Sequence, residues 1–263
     1  MRLFRDCPDG LVEHLSKLRI GIAGAGGIGS NVAMLLVRAG VASMVIADHD
    51  KVEIQNLNRQ FFFADQVDMP KVEALVQNLK RINDAIDIET HIVRLIPGNA
   101  CDFFRSCDVL VEAVDDAATK IFLIEEWSTA FPEKQIISCS GIAGTSPLGE
   151  IRTERTGKLS VVGDHHSLLE LGTFSARVMA VAAHMVAEIQ SSISGGKCAS
   201  CVGCIPGGVS LECNGEKIPL IGFPARMMEN TVRGMISSLK GADSSGSIRI
   251  ELPVSGEKIA ENY

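Results

Sequence analysis

Arg19-Ile20-Gly21-Ile22-Ala23-Gly24-Ala25-Gly26-Gly27-Ile28-Gly29-Ser30-Asn31 decides how the chain is to be read, together with Asp48-His49-Asp50 and Asn56-Leu57-Asn58-Arg59-Gln60 downstream. A short apolar run, a glycine cluster and an amphipathic stretch from Ile28 to Ala39 predict strand, tight turn and helix. Glycines let the turn bend sharply and approach an anion, and the free N–H groups of the following helix point at it with the positive end of the helix dipole. Gly24, Gly26, Gly27 and Gly29 are therefore expected at a phosphate. A second strand, Met44 to Ala47, delivers Asp48, whose carboxylate can accept from ribose hydroxyls. By itself this pattern specifies a dinucleotide or ATP and no more.

Arg59 and the later Met69-Pro70-Lys71 place fixed cations near the phosphates, which a nicotinamide site has no need of. Pro70 suits a first helical position, and Lys71, Leu75, Leu79 and Ile82 follow a helical stripe. A lysine in a first turn is disfavoured by the helix dipole, so Lys71 implies a nearby anion. Phe61-Phe62-Phe63 is expected to plug the core beneath the site. Ile86–Val93 and Val109–Val114 read as strands, the latter a buried parallel one ending at Asp115-Asp116, so that Asp48 and Asp115 should rim one crevice. Gln135–Ser140 is a further strand. Cys139 at its end has no recognisable base beside it and reads as a small buried residue. His165 and His166 read as loop residues near the site mouth.

The chain resembles the adenylating enzymes that activate ubiquitin-like and sulfur-carrier proteins, most closely in their short ThiF-like form. The resemblance runs in order through the glycine turn, Asn56–Gln60, Lys71-Val-Glu-Ala-Leu, Val111-Glu-Ala-Val-Asp-Asp, Ser140-Gly-Ile-Ala-Gly and Val162-Gly-Asp, over roughly residues 18–190. It implies a Rossmann-like α/β fold with a mainly parallel sheet and flanking helices. It also implies adenylation, by ATP with Mg²⁺, of the C-terminal glycine of a small ThiS-like carrier in thiamine thiazole biosynthesis. Arg59, Lys71 and Asp115 take the catalytic places, with Asp115 near Mg²⁺. Asp48, Asn56, Asn58 and Asp116 join the glycines, Arg59 and Lys71 around the nucleotide, in a crevice lined with cations. A separate persulfide donor supplies sulfur, and the resemblance implies a homodimer in which an arginine from the first residues, Arg2 or Arg5, reaches the neighbouring ATP. Relatives usually follow the aspartate with Asn; here it is Asp116, a second negative charge beside an anionic nucleotide. Alternatives are a carrier for molybdopterin or another ubiquitin-like protein, a modified tRNA base, an NAD(P)-binding oxidoreductase, or an inactive scaffold of the same fold.

Composition sets the bounds. With 263 residues, 46% hydrophobic and no apolar run near ~18–20 residues, the chain reads as soluble, able to bury a core without disulfides. The opening residues lack the apolar core of a secretory signal, so a cytoplasmic location is expected. A formal charge of −7 argues against broad nucleic-acid binding.

Three domains are expected: 1–190 for adenylation, a cysteine-rich linker 191–208, and a ββαβ appendage 209–263. Ser175 to Gln190 reads as a helix whose apolar face is wide enough to serve partly as a subunit interface, with burial within the domain as the alternative, and His184 in core or interface. Val209 to Ile221 should form a hairpin about Asn214-Gly215, opposing Cys213 to Glu216, Glu212 to Lys217, Leu211 to Ile218 and Val209 to Leu220. A helix from Ala225 to Leu239 and a strand from Ile248 to Leu252 complete the appendage. Cys198, Cys201, Cys204 and Cys213 offer four thiolates to one ion, with zinc ahead of an iron–sulfur cluster and free thiols or persulfide handling as the rival.

Overall fold

The computed structural model describes residue 4, residues 10–193, and residues 211–213 and 216–218. The chain divides into two compact units, Met1–Cys198 and Ala199–Tyr263, a boundary that falls inside the expected 191–208 linker. The first unit is a seven-stranded sheet in the order β3-β2-β1-β4-β5-β7-β6. The strands are β1 (Arg19–Ala23), β2 (Ser43–Asp48), β3 (Asp87–Ile92), β4 (Val109–Glu112), β5 (Gln135–Cys139), β6 (Arg152–Thr156) and β7 (Leu159–Gly163). All neighbours pair in parallel except β6, which runs antiparallel along β7 at the edge. This is the expected Rossmann-like α/β class.

Strand order reverses at β1, which pairs with β2 on one side and β4 on the other. A crevice opens at such a switch point, outside the carboxyl ends of the strands. Ile20 and Ile22 of β1 and all four residues of β4 are buried, as befits strands covered on both faces. Helix α2 (Gly27–Ala39) packs there with α6 (Ser175–Ile193). Six apolar side chains of α6, Val178, Val181, Ala182, Met185, Val186 and Ile189, are buried within the chain, while Met179 on the same helix is 46% exposed. The face these six form is thus consumed internally, as the alternative of burial within the domain has it. His184 is exposed rather than in the core. Arg155 on β6 donates to both oxygens of Glu188 on α6 at 2.6 and 2.5 Å, with Ser160 Oγ adding a third bond, so the edge strand is tied to the helix.

Helices α1 (Leu11–Lys17), α3 (Lys71–Lys80), α4 (Ala100–Phe104) and α5 (Ala117–Ala130) complete the unit. Of the three phenylalanines, only Phe62 is fully buried. Phe63 is 44% exposed, with the Arg81 guanidinium 5.6 Å from its ring, so the plug is one side chain and not three. In the second unit β8 (Leu211–Cys213) pairs antiparallel with β9 (Glu216–Ile218), with Leu211, Glu212 and Cys213 opposite Ile218, Lys217 and Glu216 as expected. The Val209–Leu220 pair, the rest of the appendage, Arg2, Arg5, and Cys198, Cys201 and Cys204 lie outside the described residues, as does the side chain of Cys213. No helix among the described residues is long and apolar enough to cross a membrane.

The close packing of α2 on the β1 turn has one non-negotiable position. A Cβ on Gly29 would lie 1.8 Å from the Gly24 carbonyl oxygen, a backbone contact that no rotamer relieves. Gly29→Ala should therefore cost at least about 1–3 kcal/mol in urea denaturation. Gly149→Ala, which meets nothing within 4 Å, should stay within about 0.5 kcal/mol. Equal stabilities for the two variants would refute the tight contact.

Candidate functional site

The crevice at the switch point encloses about 740 Å³, within the usual range of small-molecule sites. Its first wall is the glycine turn. Gly24 adopts φ +96°, where a Cβ would meet the Ala113 carbonyl at 2.7 Å, so the turn passes against the end of β4. Gly26 caps α2 without any side-chain acceptor, which leaves the N–H groups of the first turn free for an anion. Gly29 does not line the crevice; its role is the packing described above.

Asp48 ends β2 as expected and fixes its own surroundings. Its Oδ2 accepts from Ala25 N at 2.6 Å and its Oδ1 from Asp50 N at 2.7 Å. The carboxylate thereby joins the glycine turn to the strand beside it.

The second wall is the 53–60 loop. Asn56 is buried and its Oδ1 accepts from Glu53 N at 3.0 Å, while Asn58 Oδ1 accepts from Arg59 Nη1 at 2.8 Å. Neither asparagine lines the crevice, so they shape the loop and orient Arg59. Arg59 does line it, its Nη1 also donating to Gln55 O at 3.1 Å. Ser30 and Asn31, to which the sequence reading gave no task, hold this loop against α2. Asn31 Nδ2 donates to the Arg59 and Gly27 carbonyls at 2.9 and 2.7 Å, and Ser30 Oγ accepts from Phe61 N at 3.0 Å. Their place directly after Gly29 was the signal available.

Lys71 stands at the first position of α3 behind Pro70 and is nearly fully buried. The anion its position implies is already in the protein: Lys71 Nζ donates to Asp50 Oδ2 at 2.7 Å. Burial pushes the Asp50 carboxyl up, but the Lys71 ammonium overcomes that and holds it below the usual carboxylate range. At the third wall β4 stops at Glu112, short of the expected Val114, because the Glu112 carboxylate accepts from Val114 N at 2.9 Å and turns the chain. Glu112 is fully buried; it also accepts from Ser138 Oγ at 2.6 Å and pairs with Lys120, whose ammonium faces the crevice. Burial works against that ammonium, yet Cys139 and Glu112 outweigh it and raise its pKa. Cys139 itself is buried, its thiol pushed up to about 11, which suits a core residue rather than a nucleophile.

Asp115 and Asp116 are both exposed at the rim. Asp116 is the N-cap of α5: its Oδ2 accepts from Thr119 N at 2.7 Å, and hydrogen bonding to the Thr119 side chain, then to this N–H, lowers its pKa. The charge that looked unfavourable beside a nucleotide is thus directed into a helix amino end. The crevice carries four cationic side chains, Arg59, Lys71, Arg94 and Lys120, against four carboxylates, Asp48, Asp50, Asp115 and Asp116. Formal neutrality corrects the expectation of a positively lined cleft.

The fourth wall is the 140–173 crossover. Gly141, at φ +73°, leaves no room for a Cβ because Asp164 Oδ1 sits 1.9 Å from where it would be. Asp164 is fully buried, accepts from His166 N and Ser167 N at 2.9 and 2.8 Å, and pairs with Arg177 of α6, which also donates to Ser146 O at 2.8 Å. Ser167 reaches the crevice; His165 and His166 do not.

Sheet order and crevice position define a Rossmann-like nucleotide-binding α/β fold. The chain belongs to the ThiF family, which it matches over residues 1–202. Relatives include the adenylyltransferase and sulfurtransferase uba4 of Ogataea parapolymorpha, 33% identical over 144 residues, which are 54% of this chain and 36% of that protein. The ubiquitin-like modifier-activating enzyme 5 of Drosophila willistoni is 42% identical over 156 residues, 55% of this chain and 38% of its own. The chain thus spans well under half the length of these relatives. Among solved structures, the E. coli tRNA N6-threonylcarbamoyladenosine dehydratase TcdA in complex with ATP superposes with a TM-score of 0.67 at 18% identity, covering 74% of this chain and 93% of that one. E. coli MccB superposes at 0.56 and 19%, covering 70% and 58%.

Two outcomes check the walls. Hydrogen-bond donors to Asp164 outweigh its burial and hold its carboxyl well below the usual range. Its contribution to stability is then complete above the unfolded pKa of about 3.9 and lost as pH falls toward the folded value. The stability gap between wild type and Asp164→Asn should stay constant from pH 7 to 5 and shrink below about pH 4 in urea titrations; a pH-independent gap refutes the assignment. Asp116→Ala should lower Tm whereas Asp116→Asn should keep it, since asparagine caps as well as aspartate; equal Tm losses would remove the cap from the account.

Proposed function

We propose that the chain uses ATP to adenylate the C-terminal glycine of a small ubiquitin-like carrier protein. The observation that carries this reading is the meeting of the glycine turn, Arg59, Lys71 and Asp115 at one crevice in a ThiF-family chain. A carboxylate oxygen of the carrier attacks the α-phosphorus of ATP, and the bond to the bridging oxygen of the β-phosphate breaks. Carrier acyl-adenylate and pyrophosphate are the products. The nucleophile is ionised at neutral pH, so no general base is needed; the obstacle is the meeting of two anions and the charge on the leaving group.

Arg59 fits that task, since its guanidinium bonds only neutral partners, Gln55 O and Asn58 Oδ1, among the described residues. Lys71 would exchange part of its pairing with Asp50 for phosphate. The free α2 N–H groups would hold phosphate and Asp48 the ribose. Asp115, exposed and facing the crevice, has the hard oxygen donors suited to Mg²⁺, which would neutralise phosphate charge when bound with ATP.

Within this reading we assign the carrier to the ThiS type, its adenylate consumed by a persulfide donor, in a cytoplasmic homodimer. The names of the uba4 and MOCS3 relatives, adenylyltransferase and sulfurtransferase, support a sulfur carrier. The 42% identity to a ubiquitin-like modifier-activating enzyme supports, as second reading, a ubiquitin-like modifier instead.

Isotope exchange between pyrophosphate and ATP, with each carrier type added in turn, decides among them. Arg59→Ala and Lys71→Ala should each lower exchange by about 10²–10³ with Tm kept for Arg59→Ala. Near-normal exchange in Arg59→Ala, or none in wild type with any carrier, would refute the proposal.

A further inference from the structure

Two of the four crevice cations are spoken for by carboxylates, Lys71 by Asp50 and Lys120 by Glu112. Arg59 is oriented by its own loop. Arg94 is different: among the described residues its guanidinium has no hydrogen bond or ion pair, although it lines the crevice.

Its backbone, by contrast, is pinned. Arg94 lies two residues past β3, where Val93 N donates to Asp48 O at 3.3 Å and Asn99 Nδ2 donates to Arg94 O at 3.1 Å. Asn99 Oδ1 in turn accepts from Ile96 N at 3.0 Å. A fixed backbone with an uncommitted side chain is what a ligand contact requires and what a solvated arginine does not. Arg94 lines the crevice together with Asp50, past the end of β2, and Asp116, at the start of α5, and its charge acts on both.

Position selects the part of the ligand. The glycine turn follows β1, Asp48 ends β2 and Arg94 follows β3, in the spatial order of the strands. With phosphate on the turn and ribose on Asp48, as proposed above, the next moiety outward is the base. The surface there is apolar, formed by Val93, Leu95 and Val114. A guanidinium is planar, weakly hydrated and stacks on aromatic faces, which an ammonium does poorly.

We propose that Arg94 closes the nucleotide site by stacking its guanidinium on the base, opposite the Val93, Leu95 and Val114 surface. The inference rests on the nucleotide reading and adds to it a residue that recognises the base rather than the phosphates. Dissociation constants measured by calorimetry for ATP, AMP and ribose 5-triphosphate, with wild type, Arg94→Ala and Arg94→Lys, test it. Arg94→Ala should weaken ATP and AMP by the same factor, about 3- to 30-fold, and change ribose 5-triphosphate less than two-fold, while Arg94→Lys regains only part of the loss. The exposed, unpartnered side chain should leave Tm unchanged. A loss for ribose 5-triphosphate equal to that for ATP would make Arg94 a phosphate or ribose contact and overturn the proposal. Unchanged ATP affinity in Arg94→Ala, with wild type binding ATP, would overturn it alone; a wild type that binds neither ATP nor AMP overturns the nucleotide reading as well.

Discussion

The site depends on a backbone approach that no side chain could survive. Residues 24 and 29 come so close that a Cβ on the second would sit 1.8 Å from the carbonyl oxygen of the first. This contact lets α2 begin directly on the end of β1 and point its unbonded N–H groups into the space above the sheet. Asp48 makes the same arrangement rigid from the other side by accepting from Ala25 N. The carboxylate expected at a ribose is thus also a structural acceptor for the turn, and its loss would loosen the turn itself.

Charge in the crevice is balanced before any ligand arrives. Carboxylates already partner Lys71 and Lys120, and a cation in low dielectric without such a partner carries a large desolvation penalty. An incoming triphosphate therefore competes with resident carboxylates instead of entering an empty positive field. Such competition favours a ligand that arrives with its own cation, because a carboxylate displaced from its lysine, such as Asp50 from Lys71, then gains a counter-charge in exchange. Neutral lining is consistent with metal-bound ATP and unfavourable for a bare polyphosphate.

Much of this was legible in the sequence for physical reasons. Glycine spacing, Pro70 before Lys71 and the apolar runs of β1 and β4 each impose a local geometry that little else satisfies. The hairpin register at 211–218 followed from the two-residue turn alone. What sequence could not supply was partner choice at long range. Nothing near Lys71 in sequence announces Asp50 as its partner twenty-one positions earlier, nor does Asp164 announce Arg177. Asn56 belongs to the motif yet turns inward to shape the loop, because a short 3₁₀ turn with unsatisfied N–H groups finds its nearest acceptor in its own asparagine, while the exposed Asn58 accepts from the Arg59 guanidinium. The width of the buried face of α6 has a related cause: a helix crossing both α2 and the sheet buries more of its circumference than a one-sided contact does.

Asp116 shows how a departure from a pattern can be absorbed locally. Asparagine and aspartate cap helices about equally well, since either offers an oxygen to the N–H two or three residues on. The aspartate adds a full negative charge, which the amino end of a fourteen-residue helix favours, and its hydrogen bonds with Thr119 lower its pKa. The charge is therefore held at the start of α5 before a nucleotide is considered. Asp115, one residue earlier and outside the helix, has no such claim on its carboxylate. Two adjacent acids of the same chemistry are consequently divided by backbone position alone, one as a cap and the other as an exposed group lining the crevice.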